Sequence, residues 1–275
     1  MPFRIESRPR SPVNQTIAEL RETLRRIEGD GYQRRPSLPF GVPAIDEKLA
    51  NEGLRLDALH EVAAATPCLG DDASATLFIA GIAARAWGPV LWVVRRRDLF
   101  APGLYQAGLR PERVLYAEAR DDNELLAITE EGLRHRGLGA VIGEAKRAGL
   151  AATRRLQLAA EGGRTIALLL KQHARDGADP LGQPSAALTR WRVASAPSAP
   201  PFPGAEWMDG LGRACWNLEL VRQKGGESFN MIVEAPDETG RVALSAGVEP
   251  GQAQTGRPHP ESYDPDDVEE VRAAG

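Results

Sequence analysis

The sequence predicts an α/β fold built on a doubly wound, mostly parallel sheet with an antiparallel extension toward the carboxyl terminus. Three observations carry that prediction. From Leu38 onward, short apolar runs alternate with longer amphipathic stretches, the rhythm of βαβ units. The run Pro89-Val90-Leu91-Trp92-Val93-Val94 is apolar without alternation, as expected of a strand covered by helices on both faces. After Leu170 the period becomes two: Trp216, Leu218 and Leu220 share one face, and Asn217, Glu219 and Val221 the other.

The elements follow in order. Asn14 or Thr16 caps a helix carrying Ile17, Leu20, Leu24 and Ile27 at helical spacing. Gly29-Asp30-Gly31 ends that helix, and Arg34-Arg35-Pro36 is a linker. A short helix is expected over 42–49. Strands are expected over 57–63, 89–95, 113–117, 139–143 and 164–170, with helices over 74–87, 121–136 and 148–161. Further strands are expected over 188–196, 214–222, 228–234 and 241–245, with a hairpin turn at Lys224-Gly225-Gly226. Pro197, Pro200, Pro201 and Pro203 mark a loop between the first two of these. Three regions result: an amino-terminal helix and linker (1–37), a core domain (38–246) and an acidic tail (247–275). The tail is expected to be disordered, with a short helix over 265–273.

Composition narrows the class. The chain has 275 residues, 42% of them hydrophobic, enough for a sizeable core. No apolar run approaches the ~20 residues that span a bilayer, and Met1–Arg10 lacks the apolar stretch of a secretory signal. Cys68 and Cys215 give neither a disulfide framework nor a metal site. The expectation is a cytoplasmic protein without membrane contact, metal or cofactor. Net charge is −4, unlike a strongly DNA-binding protein. Residues 1–35 carry eight Arg against five acids (+3), and 237–275 carry three Arg against nine acids (−6). Of the 34 basic residues 30 are Arg, which fits a GC-rich genome better than it does phosphate recognition.

The most informative motif is an incomplete one. A strand and a helix flank Pro67-Cys68-Leu69-Gly70-Asp71-Asp72-Ala73-Ser74, where a phosphate loop would stand. A working loop, G-x-x-x-x-G-K-[ST], holds phosphates with backbone N–H groups and Lys, and Mg²⁺ with a hydroxyl. Here there is one Gly and no Lys, and Asp71 and Asp72 place negative charge where a triphosphate would sit. Gly70, Ser74 and Thr76 are read as remnants of such a site, the two hydroxyls equally suited to capping or lining the helix start. Arg95-Arg96-Arg97 follows a parallel strand at the end where open α/β sheets bind ligands. It is read either as an anion or partner site or as a solvated loop with salt bridges to Asp98 and nearby acids. Arg190 and Arg192 flank Trp191, a pattern suited to single-stranded nucleic acid that a core strand also produces. His60, His135, His173 and His259 have no ligand spacing, and His60 is read as a packed structural residue.

The order of these elements resembles the core of the RecA/RadA superfamily. Trp92 through Leu109 lies along the RecA segment without a gap. In that family the position of Arg96 holds the glutamate that orients the attacking water. Val141-Ile142-Gly143-Glu144 falls where such ATPases place a Mg²⁺-associated Asp, so the resemblance makes Glu144 a further nucleotide-site remnant. Lys171-Gln172 is similar to the end of the strand that feeds the second DNA-binding loop. Within the superfamily the chain resembles the ImuA family, RecA-like accessory proteins of inducible mutagenesis. The matching pieces are Leu59-His60-Glu61, Ala73–Phe78, Gly88–Val93 and Trp216–Arg222 with Lys224-Gly225-Gly226.

The resemblance implies a non-catalytic adaptor in damage-induced (SOS) translesion synthesis, nucleoid-associated when induced. Its partners would be a Y-family-like polymerase homologue and an error-prone replicative-type polymerase, with RecA as a further partner. Arg95, Arg96, Arg97, Lys171, Gln172, Arg190 and Arg192 are the candidate contacts to DNA or partner. Two other readings stand beside this one. An active RecA-type DNA-dependent ATPase needs a Lys near position 74 and an acid near Arg96, and the sequence has neither. A stress-induced cell-division inhibitor of related fold needs no nucleotide grip.

Overall fold

The computed structural model describes residues 36–174, 177–198 and 212–245. The expected amino-terminal helix, His259 and the acidic tail lie outside the described residues. Nine strands form one sheet: β3 (Leu59–Ala64), β4 (Val90–Val94), β5 (Val114–Glu118), β6 (Ala140–Ala145), β7 (Ile166–Lys171), β8 (Thr189–Ala196), β9 (Cys215–Gln223), β10 (Phe229–Glu234) and β11 (Ala243–Leu244). Their order is β11-β10-β9-β8-β3-β7-β6-β4-β5. From β8 to β5 all neighbours are parallel, and β9, β10 and β11 continue the sheet antiparallel. A separate antiparallel pair, β1 (Ser37–Leu38) and β2 (Leu54–Arg55), brackets the short helix α1 (Pro43–Asp46).

Helices cover both faces. One face carries α2 (Leu69–Arg85) and α3 (Ala101–Gln106); the other carries α4 (Asp122–Arg134) and α5 (Leu150–Gly163). The unbroken apolar strands divide between two cores accordingly. Val90, Trp92 and Val94 join Phe78, Ile79 and Ile82 under α2, while Val93 joins Leu125, Leu133 and Leu156 under α4 and α5. β7 repeats the division, with Ile166, Leu168 and Leu170 on the α2 side and Ala167 and Leu169 on the other.

Under α2 the core centres on an aromatic cluster in which Trp191 meets Phe40, Phe78 and Phe229 with ring centroids 5.7–5.9 Å apart. Trp191 is fully buried, so the sequence reading of a base-stacking tryptophan does not hold. Its indole N–H donates to Thr189 Oγ1 (2.8 Å), whose hydroxyl in turn faces His60 Nδ1 (2.7 Å). His60 Nε2 reaches the Arg55 carbonyl (2.9 Å). This chain of bonds fits a neutral imidazole protonated at Nε2, and burial pushes the His60 pKa down to about 4. His60 is thus a hydrogen-bonded core residue, as its place in the strand suggested.

Candidate functional site

The carboxyl ends of the parallel strands bring together most of the residues singled out in the sequence. The loop after β3 is short, because α2 begins at Leu69, five residues earlier than expected. Gly70, Asp71 and Asp72 therefore form the helix's first turn, where acidic residues favour the helix dipole. Cys68 caps it, its Sγ accepting from the Asp71 N–H at 3.4 Å.

Asp71 organises this corner. Its Oδ2 accepts from Thr66 N (3.1 Å) and Thr66 Oγ1 (2.7 Å), and its Oδ1 from Ser195 N (2.7 Å) and Ser195 Oγ (2.8 Å). Burial raises its pKa, but the bonds from Ser195 and Thr66 outweigh that and hold the carboxyl below its ordinary value. Two donors from Thr66 in the loop and two from Ser195 on β8 thus converge on an anion that belongs to the chain itself. Only Asp72 of the two aspartates is exposed; Asp71 is turned inward and buried. The hydroxyls read as remnants also have internal partners: Ser74 Oγ donates to the Gly70 carbonyl (2.8 Å) and Thr76 Oγ1 to the Asp72 carbonyl (2.8 Å). Gly70 packs close to Ser195, whose Oγ would stand 3.3 Å from an added Cβ.

A crevice of about 290 Å³ opens at the same end of the sheet, lined by Arg95, Arg96, Asp98, Glu144, Lys146 and Gln172. It lies between the ends of β4 and β6, adjacent strands whose following helices take opposite faces, which is where ligand crevices form in open α/β sheets. Glu144 is its buried floor. Oε1 accepts from the Trp92 indole N–H (2.7 Å) and Oε2 from Gln172 Nε2 (3.0 Å). Burial pushes the Glu144 pKa up to about 7; the Trp92 bond opposes the rise and Asp98 adds to it. Glu144 and Gln172 thus meet at the crevice, and Trp92 and Lys146 are parts the sequence reading missed.

The basic candidates separate. Arg95 reaches Asp122 at 3.4 Å, Arg96 reaches Asp98 at 3.4 Å and Arg97 reaches Glu118 at 3.1 Å, so the triplet fans out over three carboxylates. Arg96 and Arg97 remain largely exposed, at 85% and 73% of their side chains. Arg192 bridges Glu219 and Asp179, each at 2.9 Å. Two expectations are corrected. Arg190 is buried, bound through Nε to Glu61 Oε2 (2.7 Å) and through NH2 to the Gln183 carbonyl (3.0 Å). Lys171 is buried on β7, where burial lowers its pKa and the ammonium reaches the Ala148 carbonyl (3.4 Å). Neither presents its charge to a nucleic acid. Glu61, missed as their partner, stands inside the apolar strand β3 and also accepts from Ser185 Oγ (2.7 Å).

Sheet order, two-sided helix cover and the phosphate-loop corner define a RecA-like α/β protein. The solved structure of the RadB recombinase agrees, with a TM-score of 0.52 over 75% of this chain and 99% of that one at 16% identity, a likeness of fold. SulA from Pseudomonas aeruginosa matches 42% of this chain and 97% of its own with a TM-score of 0.36 and 23% identity. In sequence the chain is 40% identical over 212 residues to protein ImuA of Caulobacter vibrioides strain NA1000 / CB15N, covering 74% of this chain and 84% of that protein. Protein ImuA of strain ATCC 19089 / CIP 103742 / CB 15 matches to the same extent. The chain belongs to the ImuA family. No family model matches it.

Proposed function

We propose that this chain is a non-catalytic RecA-like adaptor in damage-induced, error-prone translesion DNA synthesis, which recruits or activates a mutagenic polymerase complex. Membership in the ImuA family supports the role in damage-induced mutagenesis. The observation that supports the non-catalytic reading is Asp71. Four donors at the phosphate-loop corner close on its carboxylate, leaving a nucleotide phosphate to compete with a tethered anion of like charge. On the resemblance to RecA, Arg96 also stands where that family has its water-orienting glutamate. The partners in this reading are a Y-family-like polymerase homologue and an error-prone replicative-type polymerase, with RecA as a third. Arg96 and Arg97 remain as contacts for a partner or a weak DNA interaction. The setting is the cytoplasm; no described helix is long and apolar enough to cross a membrane.

Calorimetry of the full chain with ATP and Mg²⁺, with and without single-stranded DNA, tests the reading. The expected result is neither hydrolysis nor binding tighter than millimolar. Micromolar affinity, or turnover above background, overturns the non-catalytic assignment. Co-purification with polymerase subunits supports the adaptor role, whereas capture of a cytoskeletal division protein instead favours the inhibitor reading.

A further inference from the structure

On the face opposite α2, a second cavity of about 340 Å³ runs between α4 and α5. Its centre is Glu130, a buried carboxylate on α4. Oε1 holds Arg134 NH2 (2.5 Å), one turn on, and Oε2 holds Arg155 Nε (2.8 Å) from α5. Both guanidiniums are more than 60% exposed and are fixed in place by this one acid. Arg136 lines the same cavity and is exposed, with no hydrogen bond or ion pair among the described residues. Three arginines thus face one acid. Glu131, which approaches Arg134 at 3.8 Å, lies outside the lining.

A helix C-terminus favours cations, and that accounts for Arg134 in the last turn of α4. It does not account for Arg155, in the first half of α5, or for Arg136, beyond the end of α4. The wall also has an apolar part, since Leu158 is 60% exposed at the rim. The base is formed by glycine. A Cβ on Gly163 would stand 1.7 Å from the Leu133 carbonyl oxygen, so the two helices meet backbone to backbone there. A Cβ on Gly162 would meet nothing within 4 Å, which leaves the groove open. The result is a preorganised, cationic groove with an apolar edge, suited to an acidic peptide carrying an aromatic or aliphatic anchor.

The same chain contains such a peptide. Glu261-Ser262-Tyr263-Asp264-Pro265-Asp266-Asp267-Val268-Glu269-Glu270 holds six acids and no Lys, Arg or His, with Tyr263 and Val268 as apolar residues. Fifteen residues, 246–260, separate Ser245, the last described residue, from Glu261, a reach of up to ~55 Å over the intervening steps at about 3.4 Å each. β11 stands five strands from β7, beneath α5, or about 24 Å at the usual strand spacing. A tether of that length keeps the segment at an effective concentration in roughly the millimolar range. We propose that Glu261–Glu270 is the occupant of the α4/α5 groove within the same chain, its carboxylates on Arg134, Arg136 and Arg155 and Tyr263 against Leu158. The proposal is independent of the adaptor reading and stands or falls without it.

Paramagnetic relaxation in the full-length protein tests it. Ser262→Cys carries a nitroxide, and Cys68→Ser removes the exposed native thiol while keeping a capping oxygen; Cys215 is buried. At about 50 mM salt the amide signals of Arg136, Leu158, Gly162 and Gly163 should lose at least about half their intensity relative to the reduced label. At about 1 M salt, where the screening length is about 3 Å, they should recover. Arg136→Glu, which breaks no native pair, should restore the signals at low salt, as should replacing the six acids by Asn and Gln. Arg110→Glu, a charge reversal at another exposed arginine with no ion pair among the described residues, should change nothing. Absence of broadening at low salt overturns the proposal. Broadening that survives Arg136→Glu, or that scales with protein concentration and so reports a second copy, overturns it too.

Discussion

His60 and Glu144 should titrate in opposite senses over the same pH interval and conceal one another. Folding moves the His60 pKa from 6.5 to about 4, and that of Glu144 from 4.5 to about 7. Between pH ~4.5 and ~6.5, the unfolded chain protonates His60 while the folded chain does not. That term makes stability rise with pH by about 1.4 kcal/mol per unit. Over the same span the folded chain keeps the Glu144 proton that the unfolded chain has lost, so this term makes stability fall with pH by about 1.4 kcal/mol per unit. The His60 contribution is complete above pH ~6.5 and lost toward pH ~4, and the Glu144 penalty is absent below pH ~4.5 and complete above pH ~7. Urea denaturation of the wild type should therefore give nearly constant stability from pH ~4.5 to ~6.5. Glu144→Gln should expose the His60 slope, losing about 2.7 kcal/mol from pH ~6.5 to ~4.5. His60→Gln should expose the opposite slope and gain about the same amount. If both variants keep the wild-type pH profile, the burial argument for these two groups is wrong.

Asp71→Ala removes all four bonds that close the phosphate-loop corner and leaves two backbone N–H groups without their acceptor; it should cost about 2–4 kcal/mol, or roughly 5–15 °C in Tm at ~2–4 °C per kcal/mol. A thermal melt within about 1 °C of wild type would deny Asp71 its organising role. Asp71 also supplies an acid limb: its lowered pKa gives stability that is present above pH ~3.8 and lost as pH falls through the folded value. With Lys171 and Arg190 buried, Arg96 and Arg97 are the largely exposed members of the candidate set, and two phosphate contacts through them should make single-strand affinity fall about sevenfold between 50 and 200 mM salt at ~0.7 per contact. Fluorescence anisotropy of an oligonucleotide with the wild type and Arg96→Gln/Arg97→Gln reads this slope, and an unchanged slope in the variant removes the pair from consideration.

The parallel strands were legible because burial on both faces writes an apolar run into the sequence, and β4 and β7 fall within a residue or two of expectation. The start of α2 was not. Gly70-Asp71-Asp72 has loop composition, yet a helix's first turn tolerates it and welcomes acids. The helix over Ala101–Gln106 was missed for a similar reason, since Pro102 looks like a breaker but is permitted in the first turn. At the site, local sequence located the loops but not the destinations of their side chains. Lys171 and Arg190 look like surface cations until Glu61 is brought alongside from another strand. Asp71 looks like a repulsive charge until Ser195, 124 residues later, supplies two donors. Nothing near either residue announces the partner.

Strand order also bears on how the chain leaves the ribosome. β3 is the first strand of the large sheet to be made, and it pairs only with β7 and β8; Leu59, for instance, sits opposite Ala167. β4, β5 and β6 find neighbours among themselves much sooner. At about 5–20 residues per second, β3 waits on the order of 5–20 s for its first partner to be synthesised. Throughout that interval an apolar strand has both edges open beside a growing three-stranded sheet whose β6 edge is also unfilled. Insertion of β7 between them is the event that joins the two halves, and until it occurs the nascent chain offers two complementary edges to any neighbour on the same polysome.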